Sequence, residues 1–338
     1  MSDHIPQELL TDIFSRLPAK SLLRFRCVSK TWHCLISDPS FIALHLETAR
    51  NGELLFLRYK LEGPRITDER FFLYPDDCLP ENPVGVLDCP FKADDYVNIV
   101  GSCNGVFCLA ERSFQFLFPY IHSHSLGFGF DSKTDDYKLV KLVYLADDDF
   151  DFTRPPLVEI FSLRSRGWRM VHHDLEFFTT AFSKAVLLNR ACHWLAHKPQ
   201  NGGEVIILFD LGEEVLGEIE VPDCLVNQYS FMDVAVFDGS LLLVPSHKRN
   251  GGEHRLSVWI MKEYGVAGSW TKLFNFPYLV WFSRLVAFRQ NGKVLLAMGG
   301  KLFFYDPNTE ELSDTRILAK TYSVYLDTFV DSLVLMDE

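Results

Sequence analysis

The stretch IPQELLTDIFSRLPAKSLLRFRCVSKTWHCLISDPSFIALHL, residues 5–46, is patterned as four short helices and sets the N-terminal part of the chain apart. Pro6 suits the first turn of a helix, where a missing N–H costs nothing, and Pro18 ends that helix. Ser29 is placed to cap a third helix, and Asp38 precedes a proline that starts a fourth. The stretch therefore predicts a small all-α unit.

This helical unit carries more large apolar side chains than a unit of its size can bury. A domain of about forty residues seldom buries enough surface to be stable alone. Each large apolar side chain left in water forgoes about 1.5–3 kcal/mol. Either the C-terminal region or a separate protein must cover part of this surface, and the pattern alone favours neither.

From Glu53 onward the periodicity becomes that of strands. Short apolar strands flank two-residue turns in VGSCNGVFCLA (100–110), AVLLNRACHWLAH (185–197), VAVFDGSLLLVP (234–245) and LVAFRQNGKVLLAM (285–298). Asn-Gly and Asp-Gly favour such turns because both central residues can take positive φ. The last three hairpins recur about every fifty residues, which is the length of a four-stranded propeller blade. A β-sandwich would explain the strands but not the spacing.

The two ends of the β-region are expected to meet. The run TYSVYLDTFV (321–330) is strand-like, and pairing with the first strands near Leu54 would close a ring and remove exposed sheet edges. The sequence thus predicts an α+β multidomain chain. Its parts are a helical unit at 1–46, a linker with the first strands of the β-domain at 47–94, and a propeller-like β-domain at 95–338.

The composition indicates a folded protein whose larger part is acidic. Hydrophobic residues make up 48%, charged residues 23%, and there are 29 Phe. The net charge is −12, and residues 1–50 hold six Lys/Arg and five Asp/Glu, or +1, which leaves −13 for the rest. An acidic domain argues against a nucleic acid partner and permits a basic one.

The sequence contains no secretory signal and no apolar run long enough to span a membrane. The eight Cys are scattered, several of them in strand-like runs, and are expected to be reduced thiols. We therefore expect a location in the cytoplasm, the nucleus or both, with no membrane partner.

Motifs of catalysis and of metal or cofactor binding are absent. The chain has no G-x-S-x-G, P-loop, G-x-G-x-x-G or H-E-x-x-H motif. His193 and His197 have a helical metal spacing, but their segment reads as a strand, where that spacing separates them by about 13 Å. We expect no enzyme activity, no cofactor and no metal site. Four tryptophans at blade-like positions are expected in the core: Trp168, Trp194, Trp259 and Trp270.

The run P-x-x-L-L-x-x-I-F-x-R-L-P-A-K-S-L-L-R-F-R-C-V-S-K-x-W, which starts at Pro6, resembles the F-box. The resemblance implies docking on a Skp-type adaptor and, through it, on the cullin and RING subunits of an SCF (Skp–cullin–F-box) ubiquitin ligase. By position, the contact and its support fall to Pro6, Leu9, Leu10, Ile13, Phe14, Leu17, Pro18, Leu22, Leu23, Val28 and Trp32. The sequence does not separate those that face the adaptor from those that fill the core.

The β-region is similar to the plant F-box-associated domain, which S-locus F-box proteins and F-box/kelch-repeat proteins share. The similarity covers about residues 95–315 and includes GFGFDSKTDDYKLVKLV (127–143) and LSVWIMKEYGVAGSWTKLF (256–274). The resemblance implies a kelch-like β-propeller. A Trp-Asn-Pro strand that the family usually has after the first hairpin is missing beyond Ala110, so that blade is expected to be shortened or rebuilt.

Together the two resemblances imply a non-catalytic substrate receptor that brings a protein target to the ligase for ubiquitination and proteasomal degradation. One possible target class is the basic ribonucleases bound by S-locus-type receptors. An alternative is a non-degradative binding module that works with the adaptor alone. An F-box-bearing propeller hydrolase or oxidase is a further alternative, which the missing catalytic motifs disfavour.

Overall fold

The computed structural model describes residues 5–49, 54–60, 69–75, 83–87, 97–111, 121–145, 155–179, 183–199, 202–229, 231–248, 254–276, 284–289 and 291–334. Four helices come first: α1 (Gln7–Ser15), α2 (Ala19–Arg26), α3 (Lys30–Ile36) and α4 (Pro39–Ala49). In the described remainder the regular elements are strands and two short 3-10 helices, at Ala267–Ser269 and Thr321–Ser323. The predicted order of a helical unit and a large β-region is confirmed.

Prolines and polar caps mark the helix starts. Those at Pro6, Ser29 and Asp38 were predicted; Pro18, predicted to end the first helix, also precedes the second. Pro6 and Pro18 occupy the N-cap positions of α1 and α2. Ser29 Oγ accepts a hydrogen bond from a backbone N–H in the first turn of α3. Asp38 Oδ1 accepts hydrogen bonds from the backbone N–H and the hydroxyl of Ser40 at the start of α4. These contacts satisfy N–H groups that a helix cannot pair internally.

The helices pack around a small aromatic and aliphatic core. Phe14, Leu22, Ile36 and Phe41 are buried. Trp32 packs edge-on against Phe14, with ring centroids 5.1 Å apart. One face of each helix is thus used to hold the unit together.

Over the described residues, the β-region forms five antiparallel blades and one hairpin, numbered here in chain order. Blade 1 contains β23 (Tyr325–Phe329), β1 (Leu54–Lys60), β2 (Glu69–Pro75) and β3 (Gly85–Val86). The hairpin is β4 (Val97–Cys103) and β5 (Val106–Glu111). Blade 2 contains β6 (Ile121–Asp131), β7 (Asp136–Leu145), β8 (Leu157–Ser162) and β9 (Gly167–Val171).

Blade 3 contains β10 (Phe178–Thr179) and β11 (Val186–Leu188), which both pair with β12 (Ala191–His197), followed by β13 (Glu204–Asp210) and β14 (Val215–Glu220). Blade 4 contains β15 (Phe231–Phe237), β16 (Ser240–Lys248), β17 (His254–Met261) and β18 (Trp270–Asn275). Blade 5 contains β19 (Arg284–Phe288), β20 (Val294–Met298), β21 (Lys301–Asp306) and β22 (Glu311–Leu318).

The blades are arranged as a five-bladed β-propeller. Their innermost strands, together with β4 of the hairpin, line a central channel of about 860 Å³. A closed ring of sheets around a channel confirms the predicted propeller and excludes the β-sandwich. The hairpin β4–β5 occupies the position where a shortened blade was predicted. The family's Trp-Asn-Pro strand would fall in residues 112–120, which lie outside the described residues.

The predicted closure of the ring is confirmed. Strand β1 pairs antiparallel with β23, in a register that runs from Leu54 opposite Phe329 to Arg58 opposite Tyr325. Blade 1 therefore joins the first and the last strands of the β-region, so that neither end leaves a free edge there.

Three of the four predicted two-residue hairpin turns have the required backbone geometry. At Asn291-Gly292 the prediction is wrong, because the backbone N–H of Arg289 bonds to the carbonyl of Lys293 and the turn is longer. Both central residues have positive φ in Asn104-Gly105 (53° and 79°), Asn189-Arg190 (49° and 62°) and Asp238-Gly239 (46° and 67°). Two positive φ values match the twist of the flanking strands.

A buried ionic network joins blades 2 and 3. Lys138 Nζ lies 2.8 Å from Asp131 Oδ2 and 2.8 Å from Glu214 Oε1. It also donates a hydrogen bond of 2.7 Å to the carbonyl of Leu211. Because Lys138 and Asp131 are on blade 2 and the other two partners are in the β13–β14 turn, the network fixes one blade against the next.

The expectation that four tryptophans are core residues is wrong for Trp168. Trp194 is buried and Trp270 is nearly so, but Trp168 is 50% exposed. It lies on β9, the outer edge strand of blade 2, where one side of the sheet faces solvent. Spacing within a repeat does not say which strand is outermost.

The end of the chain returns to the helical unit. Leu333 is 2% exposed and packs in the helical core with Phe14 and Ala19. The backbone N–H of Ala19 donates a hydrogen bond to Asp331 Oδ2. The C-terminal region therefore covers part of the apolar surface that the helical unit cannot bury itself.

Candidate functional site

The structure divides the apolar residues predicted to serve adaptor binding into three groups. Phe14 and Leu22 are buried; Leu10, Leu17, Leu23 and Trp32 are partly buried and pack against them; Pro6, Leu9, Ile13, Pro18 and Val28 are exposed. Only the exposed group is available to a partner. The buried and partly buried groups support the fold of the unit.

Three of the exposed apolar residues, Leu9 and Ile13 on α1 and Val28 after α2, are candidates for docking, and we call them the docking face. Their exposed fractions are 55%, 49% and 63%. Leu9 and Ile13 are four residues apart, so they lie on the same side of α1. Thr11 points to the opposite side, where it lines a polar groove with Leu44 of α4. The docking face is thus separate from the groove, and the C-terminal tail, as far as residue 334, leaves it uncovered.

A second candidate site lies in the central channel, where charged side chains from successive blades face inward. Lys184 precedes β11 of blade 3, Asp233 is on β15 of blade 4, Arg284 begins β19 of blade 5, and Asp327 is on β23 of blade 1. Followed around the ring, their charges alternate in sign. We call these four residues the channel ring.

Asp327 is held by its own neighbours. Its Oδ2 accepts hydrogen bonds from Ser102 Oγ at 2.5 Å and from the Tyr325 hydroxyl at 2.6 Å. Its Oδ1 accepts a third from the backbone N–H of Thr328 at 2.8 Å. Burial raises the pKa of Asp327 in spite of these hydrogen bonds. The hydrogen-bonding capacity of this carboxyl group is therefore largely used within the protein.

No ion pair described in the structure joins the other three members of the channel ring. Among the described residues, no carboxylate lies within ion-pair distance of Lys184 or Arg284. Lys184 Nζ lies 5.7 Å from the centroid of the Tyr325 ring. Burial, together with repulsion from Arg284 and Arg58, lowers the pKa of Lys184 to about 7, and Asp233 opposes this shift. Burial also raises the pKa of Asp233.

Further along the channel the lining is aromatic. Phe237 and Phe288 both line it, with ring centroids 5.1 Å apart. Phe237 follows Asp233 by four residues on β15, and Phe288 follows Arg284 by four on β19. On β15, whose register is regular, this even spacing keeps Asp233 and Phe237 on one face, about 13 Å apart. Strand β19 has an irregular register between the other two residues, so the rule does not apply there, and Phe288 is placed by its contact with Phe237. The channel therefore has a charged part and an apolar part.

The histidines considered for metal binding lie on a strand, as predicted. His193 is buried, and its Nε2 lies 2.7 Å from the Tyr264 hydroxyl of blade 4. Burial lowers its pKa to about 4. Within the part of the chain that the structure describes, no three His, Cys, Asp or Glu side chains are grouped to hold a metal. None of the described helices is long and apolar enough to cross a membrane.

The channel ring was not predicted from the sequence, although the sequence contains a pattern that indicates it. Single acids interrupt the apolar strands FMDVAVF (231–237) and YLDTFV (325–330). The segments FSKAV (182–186) and FSRLV (282–286) place a basic residue at the same point two blade repeats apart. A charge at an inward position of an innermost strand is what marks such a ring.

Comparison with known families agrees with this architecture. Residues 92–328 match the family described as the F-box associated beta propeller domain, and residues 2–44 match the F-box domain. The chain belongs to the F-box-associated family of F-box proteins. F-box domains generally bind Skp1-type adaptors in SCF complexes, and F-box proteins with a propeller generally serve in substrate recognition. F-box proteins are typically non-catalytic subunits.

Several Arabidopsis thaliana proteins resemble this F-box protein over both of its parts. F-box protein CPR1 is 29% identical, over 98% of this chain and 89% of that protein. F-box protein At4g22390 is 28% identical, over 98% and 90%. F-box/kelch-repeat protein At3g23880 is 27% identical, over 97% and 95%. The predicted resemblance to plant F-box proteins is confirmed.

Proposed function

We propose that this protein is the substrate-recognition subunit of an SCF ubiquitin ligase, and that the docking face of Leu9, Ile13 and Val28 binds the Skp-type adaptor. The observation that carries the proposal is the exposure of these side chains next to a helical core that the chain has otherwise covered. Pro6 and Pro18, which precede α1 and α2, are exposed as well. Burying such side chains against a partner is favourable by roughly 25 cal/mol per Å² of apolar surface.

The connection between the two parts supports a receptor role. Leu333 is packed in the helical core, and Asp331 bonds to Ala19, so the propeller is tied directly to the adaptor-binding unit. A target held on the propeller would then lie at a set distance from the ligase subunits. Such tethering raises the effective concentration of the target and needs no catalytic group in the receptor.

The charge of the propeller supports a basic target protein. The part of the chain beyond residue 50 carries −13, and an acidic surface attracts basic partners and speeds their association. Basic ribonucleases, the targets of S-locus-type receptors, are one class that fits. The proposal places the protein in the cytoplasm or the nucleus.

Adaptor docking is tested by copurification of the full chain with a Skp1-type adaptor. Ile13→Asp puts a charge on the docking face and is expected to abolish copurification. Leu44→Asp makes the same kind of change at another exposed site of the unit, beside the polar groove, and is expected to leave it intact. Retained binding by the Ile13 variant, with an unchanged melting temperature, would rule out this docking face.

Delivery to degradation is a separate step and is tested separately. The target is captured from plant tissue with the full chain while the proteasome is inhibited. Its abundance is then compared in plants with and without the receptor. A captured protein that accumulates when the receptor is lost supports degradation. A captured protein of unchanged abundance, with intact adaptor binding, supports the non-degradative module instead.

A further inference from the structure

Among the described residues, the two cations of the channel ring are not neutralised by direct ion pairs. Lys184 and Arg284 come from blades on either side of Asp233 and have no ion-pair partner among the described residues. An enclosed cation without a counter-charge is unfavourable unless solvent or a ligand compensates for it. Solvent reaches Lys184 inside the channel, so a ligand has access to it as well.

The neighbours of these cations define the chemistry of a ligand. A carboxylate matches the forked N–H groups of Arg284 and the ammonium of Lys184. Asp233, which lies between them in the ring, is available to accept a hydrogen bond from an adjacent N–H or O–H of the same ligand. Asp327 is already occupied by Ser102 and Tyr325.

The shape of the channel adds a second requirement. Its volume of about 860 Å³ falls in the range of small-molecule sites. Phe237 lies about 13 Å beyond Asp233 along β15, and Phe288 packs against Phe237. A ligand that fills the channel therefore has an acidic end and an apolar body.

We propose that the propeller channel binds a small organic acid, with its carboxylate between Lys184 and Arg284 and its apolar body directed toward Phe237 and Phe288. A cationic ligand would be repelled by Lys184 and Arg284. A metal ion is disfavoured because Arg284 lies between the two carboxylates in the ring. This site is independent of the docking face, and its test does not depend on assembly with a ligase.

The test measures binding of 1-naphthoate to the full chain by calorimetry, with neutral 1-naphthamide and inorganic phosphate as comparison probes. We expect saturable binding of naphthoate, and weaker binding of the amide and of phosphate. Lys184→Met and Arg284→Met should each weaken naphthoate binding about tenfold or more. Lys262→Met, which removes an exposed lysine on the turn after β17, should leave it unchanged.

Three outcomes would overturn the proposal: no saturable binding of naphthoate, equal binding by the Lys184 and Lys262 variants, or phosphate binding as tight as naphthoate binding, which would indicate a bare anion site. A second measurement uses the unmodified chain, so that the proposal can be tested even if a variant does not fold. Acetylation of Lys184, followed by mass spectrometry, should slow about tenfold with saturating naphthoate while acetylation of Lys262 does not. Equal acetylation with and without naphthoate also contradicts the site.

Discussion

The backbone N–H of Ala19, the first residue of α2, donates a hydrogen bond of 2.8 Å to Asp331 Oδ2, two residues after the end of β23. The segment that follows β23, the strand that closes the propeller, thus contacts the F-box directly. Leu333 follows and fills the helical core. A Cβ atom on Gly105, at the tip of the β4–β5 hairpin, would collide with the carbonyl oxygen of Val330, so the hairpin supports this tail closely.

The tail contact should contribute measurably to the stability of the F-box. Leu333→Ala removes a buried side chain from the helical core and is expected to cost about 2–5 kcal/mol there. Hydrogen exchange should show faster exchange of the amides in α1–α4, with the propeller strands unaffected. Leu318→Ala, at a 54% exposed position on β22, is the matched control and should change little. Equal exchange in both variants would show that the tail does not hold the F-box.

Gly127 marks a close approach between blades 2 and 3. A Cβ atom at this position would lie 2.5 Å from the Trp194 ring and 2.9 Å from Cys192 Cβ, and both side chains are buried. Gly127→Ala is therefore expected to lower the free energy of unfolding by about 1–3 kcal/mol through overpacking. Gly268→Ala, where the structure describes no atom within 4 Å of the new Cβ, is the control. The free energy of unfolding in urea should be lower for Gly127→Ala than for Gly268→Ala. Equal values would mean that the two blades can separate enough to accommodate the new Cβ atom.

The features that the sequence predicted are those set by neighbouring residues. Pro6 and Ser29 indicate where helices start, because a cap interacts only with the first turn of its helix. Asp238-Gly239 announces a hairpin because two positive φ values are needed there. The closing strand near Phe329 was also predictable, because a propeller needs its ends joined.

The features that the sequence did not predict depend on contacts between distant blades. Lys184 and Arg284 are a hundred positions apart, and only the ring brings them to one channel. The packing of Leu333 in the F-box likewise depends on where the tail leaves blade 1. The exposure of Trp168 follows from its strand being outermost, which periodicity within a blade does not reveal.

Acid should weaken the link between blades 2 and 3. Burial of Asp131 opposes its ionised form, but hydrogen bonds from Lys138, Thr134 and the backbone of Lys133 outweigh it, and the pKa is lowered to about 2. Because an unfolded aspartate has a pKa of about 3.9, this group stabilises the fold above about pH 4. That stabilisation is lost as the pH falls toward 2.

The lost stability is expected to be on the order of 2 kcal/mol. It is measured as the free energy of unfolding in urea from pH 5 to pH 2. Asp131→Asn should be less stable at pH 5 and should lose less on acidification, because it no longer takes up this proton. Asp135→Asn, at an exposed position in the same turn, should follow the unmodified protein. The same acid loss in all three would exclude Asp131 as its source.

Lys184 should have the opposite effect, because its charged form is disfavoured in the folded state. Burial and the cations Arg284 and Arg58 lower its pKa to about 7, while Asp233 opposes the shift. The unfolded lysine has a pKa of about 10.4. Between these values the unfolded state binds more protons than the folded state, so this group makes the protein more stable as the pH rises from about 7.

Below pH 7 Lys184 is charged in the folded state, and its free-energy cost is largest. Solvent in the channel makes this cost smaller than it would be in a dry core. Lys184→Met should therefore stabilise the protein most at pH 6, and its advantage should shrink steadily toward pH 9. Other groups titrate in the same range, so the informative quantity is the difference in melting temperature between the variant and the unmodified protein at each pH. Lys262→Met should show no such trend, because its side chain is exposed outside the channel. An advantage of Lys184→Met that is constant from pH 6 to pH 9 would show that this lysine does not lose its proton in the folded channel.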